Sequence, residues 1–207
     1  ASTGVFKIKR LSKPALLLFI LILFVLFKEL SAFLLSKYFS YNLSFYRYLS
    51  PVDFTITILI FLSIPILKPY RFINLTILSI GILFYLVNTF VLPPKANSID
   101  SYFKMTRAFL LILSSLLLLF QITRYAYEIS VFRISEFWFA TGVLIFYIIS
   151  SFYWAFFNYN LTSKIEIMKT LRSMFDYSNY MYYLFLGISV GLNNFIPVAK
   201  IFKLRDV

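Results

Sequence analysis

Long uninterrupted apolar runs constrain this chain more than any other feature. Six segments read as helices long enough to cross a bilayer: Pro14 to Tyr38, Pro51 to Leu67, Phe72 to Leu92, Phe103 to Ile122, Ile134 to Phe157 and Tyr177 to Val198. A spanning helix needs about 20 mostly apolar residues. The runs do not alternate apolar and polar, and a lipid-exposed backbone must satisfy its own hydrogen bonds, so helix is favoured over strand. Composition agrees. Hydrophobic residues make up 61% of the 207, and charged residues 14%, against about 25% charged in soluble domains. The expected fold is an all-α polytopic transmembrane bundle, with residues 1–207 forming a single domain.

Prolines punctuate the runs. Pro51 is expected to open the second helix at its first turn. Pro65 and Pro197 are expected to kink or end the second and sixth helices. Lys68-Pro69-Tyr70-Arg71 and Pro93-Pro94-Lys95 read as breaks, and Asn160 to Met174 reads as a separate, short surface helix. Ala1 to Arg10 is basic and lacks the pattern of a cleaved signal peptide. With Lys7, Lys9, Arg10 and Lys13 flanking the first segment, the positive-inside rule places both ends in the cytoplasm. The net charge of +12 then points to anionic lipid at a basic cytoplasmic rim and not to nucleic acid.

Absences narrow the chemistry. The chain has neither histidine nor cysteine, which removes imidazole and thiolate metal sites, disulfides, cysteine nucleophiles and Ser-His-Asp catalysis. No metal site and no cofactor are expected. A metal held by carboxylates alone would draw on eight Asp and Glu, and no clustered carboxylate motif is present. There is no phosphate-cradling glycine loop, no selectivity-filter motif and no pair of broken helices of the transporter kind.

Ionisable residues inside spans are costly, so they are the candidate site. Glu29 lies about two-thirds along the first segment, beside Lys28, which is expected to snorkel outward. Asp53, Arg107 and Asp176 fall in the same half of the membrane, with Asn42, Asn88 and Asn179 near that level. One reading is a polar cavity open to the outside, where Glu29, Asp53 and Arg107 converge on a ligand or ion. The competing reading is structural: Asp53 and Asp176 cap helix N-termini, and Glu29 pairs with Arg107 to fix register. Gly187 and Gly191 form a small-xxx-small face suited to close helix packing within the chain or between copies.

Several stretches together resemble a family of uncharacterised bacterial inner-membrane proteins. These are Phe27-Lys28-Glu29-Leu30, Tyr41-Asn42 with Tyr46, Pro51-Val52-Asp53-Phe54, the Phe137-Trp138…Gly142…Tyr147 run, and Ser178-Asn179. In that family a Glu-Leu ends a helix core, an aromatic–Asn pair fills the outer loop, and an acidic residue before Phe opens the next helix. The acidic residue there tends to be Glu, where this chain has Asp53. The resemblance implies seven helices, the first falling before Ala1, and a place in the inner membrane. Some members resemble sensor-kinase input domains. With no soluble domain, no catalytic groups and no transport architecture in the sequence, the expected role is non-catalytic: an accessory subunit docking on a membrane-protein partner, or a sensory input module. The alternative is a small-solute or ion-coupled transporter working through its intramembrane carboxylates.

Overall fold

A computed structural model describes residues 11–39, 43–91, 101–125, 130–158 and 165–192. Six α-helices account for nearly all of them: α1 (Lys13–Phe39), α2 (Leu43–Ser63), α3 (Arg71–Leu86), α4 (Ser101–Tyr125), α5 (Ser135–Asn158) and α6 (Ile165–Leu192). Short 3-10 turns cover Pro65–Tyr70 and Val131–Arg133, and α3 runs on into a π turn at Val87–Val91. Among the described residues five helices are long and apolar enough to cross a membrane. The all-α transmembrane bundle expected from the apolar runs is what forms.

Two boundaries differ from expectation, and a third, the stop at Pro65, falls as expected. Pro51 does not start α2; it lies inside it. A buried bundle helix tolerates an interior proline because neighbouring groups take up the freed backbone positions. The group freed is the Arg47 carbonyl four residues back; the Thr55 hydroxyl, donating to the carbonyl of Pro51 itself at 2.8 Å, is a separate bond. The stop after α2 comes from Pro65, which drives Ile64 into extended backbone (φ −72, ψ 121). Finally, the residues expected to form a separate surface helix are, from Ile165 onward, part of one continuous α6. No proline or glycine interrupts the sequence from Ile165 to Leu186, so nothing ends the helix there. Among the described residues α6 is not one of the five apolar spans; 193–198, the last part of the sixth span expected, lie outside the described residues.

The helices close into a ring. The most extensive packing is α4 on α5 and α5 on α6; α1 joins α2 on one side and α6 on the other, and α2 meets α4. Outside this ring lies α3, against α2 and α4. Two glycines permit the closest approaches. Gly81 of α3 sits on the ring of Phe54, and Gly142 of α5 on the Cβ of Phe185 in α6. A methyl at Gly142 would lie 2.8 Å from that Cβ, an atom fixed by the backbone. Gly142→Ala is therefore expected to force α5 and α6 apart and to cost about 1–3 kcal/mol, read as a lower unfolding midpoint in detergent.

The two ends of the ring differ. The end holding the first half of α1 and the second half of α4 is close-packed and mostly apolar. There Leu18, Leu21, Ile58, Phe61, Leu111, Leu118 and Phe139 are all within 1% of complete burial, and the Phe61 and Phe139 rings stand 4.9 Å apart. Ser189 bonds internally at this end, donating to the Ser135 carbonyl at 2.8 Å, while both ends of the buried Gln121 amide have no hydrogen-bond partner among the described residues. The opposite end is charged. Gly187 and Gly191 pack against nothing: a Cβ on either meets no atom within 4 Å among the described residues. The small-residue face thus points away from the bundle, contrary to the expectation of internal packing.

Candidate functional site

At the charged end the ring encloses a cavity of about 330 Å³, lined by all five ring helices. Helix direction orders its lining. On α2, α4 and α6 the chain runs inward, so Asp53, Arg107 and Tyr182 lie deeper than Tyr46, Lys104 and Asp176. On α5 it runs outward, from Tyr147 at the floor past Ser150 to Trp154. Burial follows the same order: Asp53 and Arg107 are buried, and Asp176 is exposed. Tyr147 and Trp154 are seven residues apart, so the cavity is about 10 Å deep at 1.5 Å per helical residue.

The floor is a charge cluster. Lys28 Nζ donates to Asp53 Oδ2 at 2.5 Å, and Arg107 Nη1 stands 3.9 Å from the same oxygen. Arg107 Nη1 also donates to the Ser50 hydroxyl at 3.1 Å and to the Ser50 carbonyl at 3.3 Å. Its guanidinium lies over the Tyr147 ring, 5.5 Å from the centroid. Its Nε–H is buried with no hydrogen-bond partner. Two formal positive charges face one negative charge, so the floor is net positive by one. Phe146 and Tyr182, stacked at 5.0 Å, wall it on one side.

The mouth has the opposite balance. Glu29 accepts a hydrogen bond from the Tyr46 hydroxyl at 2.9 Å, and Asp176 lines the cavity from α6. Against these two carboxylates stands Lys104, whose ammonium lies over the Trp154 ring at 3.9 Å.

Four of the residues picked from the sequence, Glu29, Asp53, Arg107 and Asp176, line this one cavity, as does Asn179. Asn42 lies outside the described residues. Asn88 is buried on α3, away from the site. Two structural roles expected for these residues do not hold. Asp53 and Asp176 each sit about three turns inside their helices, so neither caps an N-terminus. Arg107 pairs with Ser50 and Asp53, and Glu29 with Tyr46, so the Glu29–Arg107 pair does not form. Sequence reasoning missed Lys28, expected to snorkel and instead bound to Asp53. It also missed Tyr46, Ser50, Lys104, Tyr147 and Trp154. Helical spacing carries the signal for Lys28. Leu18, Leu21, Val25 and Ala32 are the buried face of α1, and Lys28 falls on their i, i+3, i+4 stripe.

Among the described residues no three carboxylates gather into a group able to hold a metal ion. Comparison of the chain with known protein families, curated proteins and solved structures finds no match.

Proposed function

We propose that this protein is a non-catalytic membrane module that binds a small polar ligand and serves as a sensory input unit. One observation carries this reading: a charged cavity at one end of the bundle stands over a close-packed, mostly apolar half. A cavity with polar groups converging on a mostly apolar wall is the usual form of a ligand site. The cavity's lining takes in none of the polar residues buried in the packed half, Ser115, Gln121 and Glu136 among them, which weighs against the transporter alternative. The basic residues before α1 orient the packed end toward the cytoplasm of a bacterial inner membrane, so the cavity opens outward. Occupancy would then reach a membrane-protein partner through the helices, with the cytoplasmic basic residues resting on anionic lipid.

The chain has no cysteine, which makes the test direct. Asn179→Cys, in the cavity lining, is expected to react with a membrane-impermeant maleimide added outside intact cells. Ser115→Cys, in the packed half and fully buried, is expected not to react. An unreactive Asn179→Cys in cells, with reaction only after the membrane is opened, would reverse the orientation. No reaction in either case would mean the cavity is closed, and the reading fails.

A further inference from the structure

The charge pattern of the cavity says what it holds. We propose that the ligand is a zwitterion with separated charges, bound with its carboxylate at the floor and its ammonium at the mouth; this rests on the binding-module reading above.

The floor calls for an anion. Its formal charge is positive by one, since Asp53 faces both Lys28 and Arg107. Arg107 commits only Nη1 to Ser50 and Asp53. Its Nε–H, on the other edge of the guanidinium fork, is buried and unpartnered. A buried donor without a partner is a standing cost, and that edge suits a carboxylate oxygen. Asp53 already shows that a carboxylate is accepted beside Lys28 and Arg107.

The mouth calls for a cation. Glu29, one residue outward of Lys28 on α1 and bonded to Tyr46, and Asp176 outweigh Lys104 there, and Phe175 lines the level of Asp176. An ammonium is favoured by carboxylates and by ring faces alike. A free anion would enter against the acidic mouth, and a free cation would meet a positive floor. Only a molecule carrying both satisfies both ends. Tyr182 and Asp176 are six residues apart on α6, so floor and mouth are separated by roughly 9 Å. The charges of an α-amino acid are too close together to span this. A 6-aminohexanoate-like acid or a dipeptide, at about 3.5 Å per extended residue, comes near it, and the phenylalanine and tyrosine walls suit an apolar body between the charges.

Titration calorimetry on the full chain in nanodiscs tests this with 6-aminohexanoate, hexanoate, hexylammonium, alanine and dialanine. The zwitterion 6-aminohexanoate is expected to bind at least tenfold more tightly than hexanoate, hexylammonium or alanine. Dialanine separates the sources: binding as tight as that of 6-aminohexanoate marks a short peptide, and weaker binding an aliphatic amino acid. Arg107→Lys keeps the charge and loses the fork. It is expected to weaken 6-aminohexanoate and hexanoate alike, about tenfold, and to leave hexylammonium unchanged. Glu29→Gln with Asp176→Asn is expected to abolish the advantage of 6-aminohexanoate over hexanoate. Equal affinity for the singly charged analogues, or no binding of any probe, overturns the proposal. Asn179→Cys labelling, run on the same preparation, separates the two failures. A reactive cysteine with no probe bound means the cavity is open and the ligand class wrong. An unreactive one means the cavity itself is not there to fill.

Discussion

Asp53→Ala is expected to destabilise the bundle by about 3–5 kcal/mol, the cost of removing one partner from a buried ion pair. Among the described residues Asp53 is the only carboxylate paired with Lys28 and Arg107, and all three side chains are nearly closed to solvent, at 10–12% exposure. Without Asp53 two cations face each other inside the membrane, where an unpaired charge is expensive. The pair also joins α1 to α2, so its loss should loosen the ring at the cavity end. The decisive comparison is the double variant Lys28→Met, Asp53→Ala. Removing the second charge leaves only Arg107, still held by Ser50, so the double variant is expected to be more stable than Asp53→Ala alone. Unfolding midpoints in mild detergent measure all of these. Being buried, the coupling should persist at high salt. Strictly additive effects, or an Asp53→Ala cost below about 1 kcal/mol, would show that the pair does not hold α1 against α2.

The bundle was legible in the sequence because bilayer thickness sets helix length, and the apolar runs are that long. Helix ends were less legible. A proline marks where a helix stops only through its effect on the residue before it, as Ile64 before Pro65 shows. Pro51 carries the same chemistry, yet α2 runs through it, so it starts nothing. That one misplaced boundary hid much of the site. With α2 begun at Pro51, Asp53 looked like a capping residue; with α2 begun at Leu43, it stands in the middle of a helix and needs another reason to be there. Asp176 was obscured in the same way by the assumed break before Tyr177.

The inward faces were partly written in the polar residues. In lipid an apolar side chain gains little by facing inward, so apolar periodicity weakens as a guide. Polar residues at helical spacing replace it. Tyr46, Ser50, Asp53 and Thr57 on α2 mark one such face, and Lys104, Arg107, Ser114 and Gln121 on α4 another, as do Asp176, Asn179, Tyr183 and Ser189 on α6. The pairing of partners across helices was not legible. Lys28 could choose Asp53 over the interface, and Glu29 could choose Tyr46 over Arg107, only once the ring had set which helices are neighbours.

Phe61→Ala is expected to cost about 2–4 kcal/mol and to leave the membrane sealed. Phe61 is fully buried, and its ring meets Phe139 across α2 and α5. In a soluble core the loss would combine transfer from water with the cavity left behind. In a bilayer the transfer term shrinks, because lipid is as apolar as the core, and the cavity and lost ring contact carry most of the cost. The position tells more than the size. Phe61 lies eight residues below Asp53, about 12 Å along α2, with Phe54 and Ile58, both fully buried, in between. A void at Phe61 is apolar and stays dry, so it should not join the charged cavity above it. Liposomes carrying Phe61→Ala are therefore expected to hold a proton gradient as well as those carrying the parent chain. The Asn179→Cys reaction should be unchanged in the same background. A leak confined to the variant would make the packed half a gate, and the carboxylates above it would then serve transport instead of sensing.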